Sequence, residues 1–449
     1  MTQTVTPFRP PMVKGTPLIG SLRPMVKNPY EFTLKAYQEY GECFRFRVAH
    51  RKYVVMAGID AGRFLAGEGK HYFGVEGFWG KAMEFMQSPH GVTGVDGEIH
   101  QYQRDLMKPL LSRKAFKERV FDLAEPVEEV IKNQQNGVVE VGPTTRHMIS
   151  NQLGGALQGY RPKYEDVIEF IYYFSSIMNV YGLRKWPALM LKTPRFLRAE
   201  KIAKEHSRKV RAIAEQRSNE DIAKHTQYLD VLLPALKAKP EWFGDGEIEM
   251  HALLPFVASL DTVATNMGFL LMRLLQNPPL RARIQKEVDA VFSRGIPELD
   301  TLMAMEDLNG LIRETMRVQP VAFGITRTAS EDFVFKNFQI YKGEDVLLFT
   351  TADHQNPEYF PEPKKFDIER YREPTNQHKQ VAFSPFGKGP HACLGVGLAD
   401  IMLPLNMGLM LYNWKIEPGC DLDKVKTIFN PAPILSKNFK IRIAHRHAS

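Results

Sequence analysis

The sequence predicts a mostly α-helical fold with a small β region, and three observations lead there. Apolar residues recur at helical spacing through most of the chain from about residue 61 to 311. Short β-branched and aromatic runs lie on either side of that stretch, at 43–48, at 53–57 and between about 320 and 350. No repeat, low-complexity tract or Ser/Gly/Pro linker divides the 449 residues. The expectation is therefore a single domain, 1–449, with β-rich parts at about 40–60 and 320–350. Its helical parts would cover about 61–320 and 376–415.

The first residues, 1–24, carry Pro and Gly but no continuous apolar run, so neither a secretory signal nor a membrane anchor is expected. A short amphipathic helix follows at about 29–40, then the strands 43–48 and 53–57. Helical periodicity is clear at 97–111, 120–135, 164–180 and 197–215. Beyond Pro320 the chain turns strand-like at 333–335, 339–341 and 345–349. A Pro-rich stretch, 356–363, leads into coil, helix returns at Leu394, and 428–443 reads as loose strands. The run 394–414 is apolar enough to suggest a membrane span, but Asp400, Pro404 and Asn406 within it favour a buried core helix.

The segment 245–276 reads as one long helix. Asp245 would cap it, Glu247 and Glu249 suit its first turn, and Asn277-Pro278-Pro279 ends it. At 1.5 Å per residue it would span roughly 45 to 50 Å, enough to cross a domain. Pro255 should bend it. Its apolar middle is interrupted by Ser259, Asp261, Thr262, Thr265 and Asn266. Buried polar groups need partners, so these either bond to backbone carbonyls or form a local proton relay. On a second helix, Glu314 and Arg317 stand three apart on one face. By spacing alone they read as an exposed ion pair.

Composition narrows the function. The chain is 44% hydrophobic and 24% charged, the make-up of a soluble protein with material for a large core. Its net charge of +8 is scattered apart from short groups such as 201–211, which argues against nucleic-acid binding and for a face that docks an acidic partner. Three distant cysteines, Cys43, Cys393 and Cys420, exclude a disulfide framework, a zinc ribbon and a Cys-x-x-Cys-His heme attachment, and they suit a reducing cytoplasm.

The strongest local signal is the run from Phe383 to Gly395. Gly387, Gly389 and Pro390 preset a tight loop, and Cys393 falls where a helix begins. Free N–H groups and the helix dipole there favour a thiolate over a thiol. A thiolate is an electron-rich ligand suited to heme iron. Gly387-x-Gly389-x-x-Ala392 loosely matches a dinucleotide fingerprint but lacks the βαβ context. Zinc lacks neighbouring ligands.

With those residues in place, the chain resembles the cytochrome P-450 superfamily of heme-thiolate monooxygenases over about residues 10–442. The family's Phe-x-x-Gly-x-x-x-Cys-x-Gly stands here as Phe386, Gly389, Cys393 and Gly395, its Glu-x-x-Arg as Glu314 and Arg317, and its acid–alcohol pair as Asp261 and Thr262. Its Pro-rich approach to the cysteine matches the stretch from Asp353 to Pro357 and on to Tyr371. The resemblance implies a triangular helical domain with a long central helix over heme b, and Cys393 as axial ligand of the iron. It implies that Phe386 borders the heme and that His100, Arg104, Arg327 and His391 hold its propionates. Glu314, Arg317 and Arg370 would form a buried network behind the heme, and Asp261 and Thr262 would deliver protons to O2.

The expected reaction is monooxygenation of an apolar small molecule, terpenoid, steroid or fatty-acid-like. Phe78, Trp79, Met83, Ala258, Val321, Ala322 and Phe323 would form its pocket. The alternative is a peroxide-driven peroxygenase or isomerase, which the acid–alcohol pair disfavours. A non-catalytic heme sensor or carrier would leave the aromatic-rich stretch 72–86 without a role. The implied partners are a ferredoxin or flavodoxin with its NAD(P)H-dependent reductase, and the protein is expected to be a cytoplasmic monomer. Three positions depart from the family's commonest pattern. Ser259 stands for Gly or Ala, Ile368 for Pro, and His391 for Arg, whose propionate contact would then respond to pH.

Overall fold

The computed structural model describes residues 7–429 and 432–447. The fold is mostly α with small sheets, and the strand material from the two ends of the helical stretch meets in one of them. The five-stranded sheet takes Cys43–Val48 and Arg51–Ala57 from the early chain, and Ile325–Ala329 and Asp345–Phe349 from the late chain. Arg51–Ala57 runs parallel to Asp345–Phe349, and its other pairings are antiparallel. Phe73–Gly74 closes the edge against Ile325–Ala329.

Most element boundaries lie where local chemistry puts them. Pro29–Tyr40 starts at a Pro whose preceding Asn28 accepts the Glu31 amide, and it ends at Gly41 with φ 82°. The long helix Asp245–Gln276 ends at Asn277 before Pro278. Its start is corrected by one residue. Gly244 is the cap, and its amide donates to the Glu247 carboxylate at 2.7 Å, so Glu247 rather than Asp245 satisfies the first turn. The helix runs through Pro255 unbroken.

Other expectations shift further. The helix after the cysteine begins at Val396, two residues late, and the stretch from Asn376 to Gly395 is loop and 3-10 turn rather than helix. Two strands lie inside or beside stretches read as helical. Gly137–Glu140 and Trp414–Pro418 flank Lys440–His445 in a three-stranded sheet whose pairing crosses some 300 residues, beyond the reach of local periodicity. The basic group around 201–211 lies on Pro194–Glu215, where Lys201, Lys204 and Arg211 pair with carboxylates of the same surface.

The long helix and Val396–Asn413 form the middle of the core. Among the described residues only the former is long and apolar enough to cross a membrane, and two-thirds of its apolar window is buried in protein. Val396–Asn413 is apolar on nearly every side and buried from Ile401 to Leu411. Its one deep polar residue, Asn406, exchanges two hydrogen bonds with Gln152 at 2.7 and 2.8 Å. Gln152 also donates to the Leu123 carbonyl at 2.8 Å. This amide pair fixes Val396–Asn413 against Val141–Leu153 at the centre of the molecule. Asn406→Leu should cost about 1–3 kcal/mol, because it strands the Gln152 amide in the core. Equilibrium denaturation measures it; an unchanged midpoint would mean that the pair does not hold these helices.

Candidate functional site

The cysteine loop is built on a buried ion pair. Glu314 and Arg317 lie on Glu306–Val318, both without solvent exposure, and meet through two hydrogen bonds of 2.8 Å. The exposed pair expected from spacing alone is thus a core pair, as the resemblance implied. Burial drives the Arg317 guanidinium down, but Glu314 outweighs it and holds it above its usual value. Every remaining lone pair of Glu314 is used. Its carboxylate accepts from the Asp367 amide at 2.9 Å and the Tyr371 hydroxyl at 2.7 Å, with Arg370 Nε at 3.4 Å. Arg370 also ties back to the carbonyls of Pro361, Glu362 and Lys365. A second cluster, Asp307 with Arg283 and Arg372, clamps the start of the same helix. Ile368 packs on Gly310, where a Cβ would stand 3.1 Å from the Ile368 carbonyl oxygen.

From Arg317 the network reaches the loop. Arg317 donates to the His354 carbonyl at 2.7 Å. The fully buried His354 ring accepts the Ser384 amide on Nε2 at 3.0 Å, so its Nδ1 carries the proton and faces the Arg317 carbonyl at 3.2 Å. A neutral imidazole can do both. Burial, with Arg317 nearby, pushes His354 down to about 3, which keeps it neutral. Ser384 opens the cysteine loop, and its hydroxyl donates to the Thr350 carbonyl at 2.6 Å. His354 and Tyr371 were missed as site residues by the sequence reading. Their only signal was a place in the Pro-rich stretch.

The loop itself turns on Gly387 and Gly389, with φ of 75° and 79°. A side chain at Gly389 would also strike Leu65, 2.8 Å away. The Cys393 amide donates to the Phe386 carbonyl at 2.9 Å, closing the loop. Cys393 stands before the helix rather than at its first residue, because Gly395 is the cap. Burial pushes its thiol up, opposed by the Gly395 amide and Arg104, so the helix terminus alone does not make the thiolate. A bound metal cation reverses that balance, since a coordinating thiol is deprotonated outright.

Around this cysteine the cations predicted for propionates gather. His100 on Gly97–Met107 stacks on His391, ring centroids 3.7 Å apart. His391 pairs with Asp96 at 2.8 Å, and Asp96 also accepts the Val75 amide at 2.8 Å. Burial would raise the Asp96 carboxyl, but these two bonds outweigh it and hold it below its usual range. Asp96 was another residue missed; it supports His391 across 295 residues of sequence. Burial, with His391 and Arg104 nearby, pushes His100 down to about 3, so it is a neutral donor. Arg104 and Arg327 remain charged. Burial lowers both, Arg327 to about 10, and among the described residues neither lies within ion-pair distance of a carboxylate.

Asp261 and Thr262 stand apart from this group. Arg146, on Val141–Leu153, pairs with Asp261 at 2.7 Å, a partner 115 residues away that nothing in the sequence marked. The Thr262 hydroxyl donates to the carbonyls of Ala258 and Ser259 at 3.1 and 3.0 Å. Asn266 donates to the Thr262 carbonyl at 2.9 Å. Ala258 is exposed between the fully buried Phe256 and Leu260, so the long helix turns one open patch at the turn that carries Thr262.

The proposed pocket residues separate. Phe78 and Trp79 are half-buried on Glu76–Phe85, with Trp79 near Phe174. Val321 is buried and Ala322 exposed. Met83 is fully buried, its side chain against Gly91, Gly94 and Thr93. Phe323 packs on Tyr30 and Phe349 beside the N-terminal helix.

The residues present fit a heme. An accessible cysteine sulfur is paired with two guanidiniums that lack a carboxylate, which suits an iron and two propionates. At Gly387 and Gly395 an added Cβ would meet open space.

A family model described as cytochrome P450 matches residues 10–443. The chain is 34% identical over 176 residues to a probable cytochrome P450 6a20 of Drosophila melanogaster, covering 38% of this chain and 35% of that protein. It is 28% identical over 217 residues to human cytochrome P450 3A5, covering 47% and 43% respectively. These matches span less than half the length of the curated relatives. A solved structure described as retinoic acid bound cyanobacterial CYP120A1 has a TM-score of 0.80 at 20% identity, covering 98% of this chain and 100% of that one. That likeness establishes the shared fold.

Three buried histidines set an acid limit on this framework. Burial pushes His354 down to about 3, and His251 and His206 to about 4, against an ordinary value of 6.5. The unfolded chain takes up the protons that the folded chain refuses, so stability is full above pH 6.5 and is lost as pH falls through that value. The loss should be on the order of 2 kcal/mol per histidine by pH 5. Denaturation midpoints measured between pH 7 and 5 should fall steadily; a flat profile would mean that these rings are protonated in the fold.

Proposed function

The chain belongs to the cytochrome P450 family, and from that premise we propose that it is a heme-thiolate monooxygenase acting on an apolar small molecule. The observation that carries this reading is the accessible Cys393 at the end of a loop anchored through Ser384, His354 and Arg317 to a buried carboxylate. Cys393 would hold the iron, Arg104 and Arg327 the propionates, and His100 and His391 would add hydrogen bonds at the same edge. Heme b with a thiolate ligand supplies the chemistry that cleaves the O–O bond of O2 and passes one oxygen atom to the substrate.

The protein's part is to bring protons and exclude water. Thr262 carries a hydroxyl whose hydrogen rests on its own helix, at Ala258 and Ser259. Rotation about one side-chain bond turns that donor outward. Asp261, next to it, is the group able to reload the hydroxyl. Its pair with Arg146 is partly exposed on both sides, so opening it costs about 0–1 kcal/mol. Ser259 adds a second hydroxyl on the same turn. Phe78, Trp79, Ala258 and Ala322, each at least partly exposed, would give the substrate an apolar lining with Val321 beside Ala322, which suits a terpenoid, steroid or fatty-acid-like compound.

Electrons would come one at a time from a ferredoxin or flavodoxin and its NAD(P)H-dependent reductase, drawn by a chain of net charge +8. Three free cysteines fit a reducing cytoplasm. We take the working unit to be a monomer.

Thr262→Ala should keep substrate binding but lower product formed per electron pair by about tenfold or more, the excess appearing as peroxide or water. Unchanged coupling with the electron donor would refute the proton role, and faster product formation from peroxide alone would favour the peroxygenase reading. The rate of reduction should drop about tenfold as salt rises from about 0.01 to 1 M, where the screening length shrinks from about 30 to 3 Å. Stopped-flow reduction checks this; a rate indifferent to salt would mean that docking is not electrostatic.

A further inference from the structure

Behind the cysteine loop lies a cavity of about 360 Å³, bounded by Glu306–Val318, the first half of the loop and Val396–Asn413. Neither Cys393 nor any of the cations placed at the heme edge lines it. Its volume falls within the range of small-molecule sites, roughly 300–1,000 Å³. Met303, Ile312, Met316 and Pro404 give it an apolar wall, while Arg113, Arg313 and Lys388 bring three cations. The single carboxylate of the lining is Asp400, 3.5 Å from Arg113.

The other two cations are left over. Arg313 and Lys388 are half-buried, and among the described residues neither forms an ion pair or a side-chain hydrogen bond. Burial pushes both below their usual values, Arg313 only partly relieved by Asp400. Half-buried cations without a counter-charge are costly. His378 faces the same space with its Nδ1 buried and unpartnered.

We propose that this cavity binds a small amphipathic anion, a carboxylate or phosphate with an apolar body, at a site separate from both heme and substrate. Arg313 and Lys388 take the charged head, and the body lies along Met303, Ile312 and Met316. Phe386, Gly387 and Lys388 belong both to this cavity's wall and to the loop that ends in Cys393, so the occupant bears directly on the segment that presents the iron ligand. The same carboxylate chemistry could arrive on an acidic side chain of the electron carrier. The apolar wall, which a lone carboxylate side chain does not need, favours the free amphipathic molecule.

The test is calorimetric titration of the heme-loaded enzyme, its oxygen side blocked with imidazole, using octanoate as probe and inorganic phosphate beside it. Octanoate should bind saturably and more tightly than phosphate without moving the heme–imidazole band. Arg313→Gln with Lys388→Gln should weaken it by about tenfold or more, and Asp400→Asn, which removes the competing carboxylate, should tighten it. Heme content and melting temperature report whether each variant folds, and the opposite sign expected of Asp400→Asn survives if the double variant does not. The proposal is overturned if octanoate shows no saturable binding, if these substitutions leave it unchanged, or if phosphate binds as tightly. It is equally overturned if the double variant slows reduction by an acidic ferredoxin while octanoate never binds, since the cations would then belong to protein docking.

Discussion

The structure depends on a carboxylate and a guanidinium kept away from water. Removing two such ions from solvent costs several kcal/mol each, and their attraction recovers this only if every lone pair and proton finds a partner. Here nearly all do: Glu314 accepts two hydrogen bonds from Arg317 and one each from Tyr371 and the Asp367 amide, with Arg370 beside it, while Arg317 places two further N–H groups on the carbonyls of His354 and Lys365. These partners lie on three separate stretches of chain. The pair therefore decides where the coil between the late strands and the last long helix must run, and that coil carries the cysteine. An apolar pair of the same volume could give equal stability, but it would not specify this path.

The opposite side of the loop shows a complementary economy. Gln152 and Asn406 satisfy each other in the core, yet Arg104 is brought close to Cys393 and Arg327 close to His391 with no carboxylate in ion-pair distance among the described residues. Asp96 is spent on His391 and the Val75 amide. Two guanidiniums outside ion-pair distance of any carboxylate, beside a cysteine and a stacked pair of imidazoles, suit an anionic, flat cofactor. The long helix contributes the one turn where its apolar surface opens, at Ala258, and places a hydroxyl there.

Much of this was legible in the sequence where the determining chemistry is local. Pro29, Asn277 and Pro278 mark helix ends, Gly387 and Gly389 mark the loop, and short runs of aromatic and aliphatic residues mark Cys43–Val48 and Asp345–Phe349. What escaped depends on partners far apart in the chain. Arg146 meets Asp261, Asp96 meets His391, and Gly137–Glu140 meets Lys440–His445, and no periodicity records such pairings. Spacing alone read Glu314 and Arg317 as exposed, because burial is decided by the elements packed around them. Apolar type failed similarly for the pocket. Met83 and Phe323 carry the side chains of a pocket wall, but neighbours enclose one and the N-terminal aromatics claim the other.

The account's central claim is that the buried pair positions the cysteine rather than merely stabilising the fold. Replacing both charges together, Glu314→Gln with Arg317→Met, separates the two better than either change alone, since of the three buried ions it leaves only Arg370, which keeps the carbonyls of Pro361, Glu362 and Lys365. The measurement is the absorption spectrum of the reduced, carbon monoxide-bound protein, with far-ultraviolet circular dichroism as the record of folding. The account predicts a helical protein that has lost the band marking thiolate ligation. A double variant that keeps that band at full strength would contradict it.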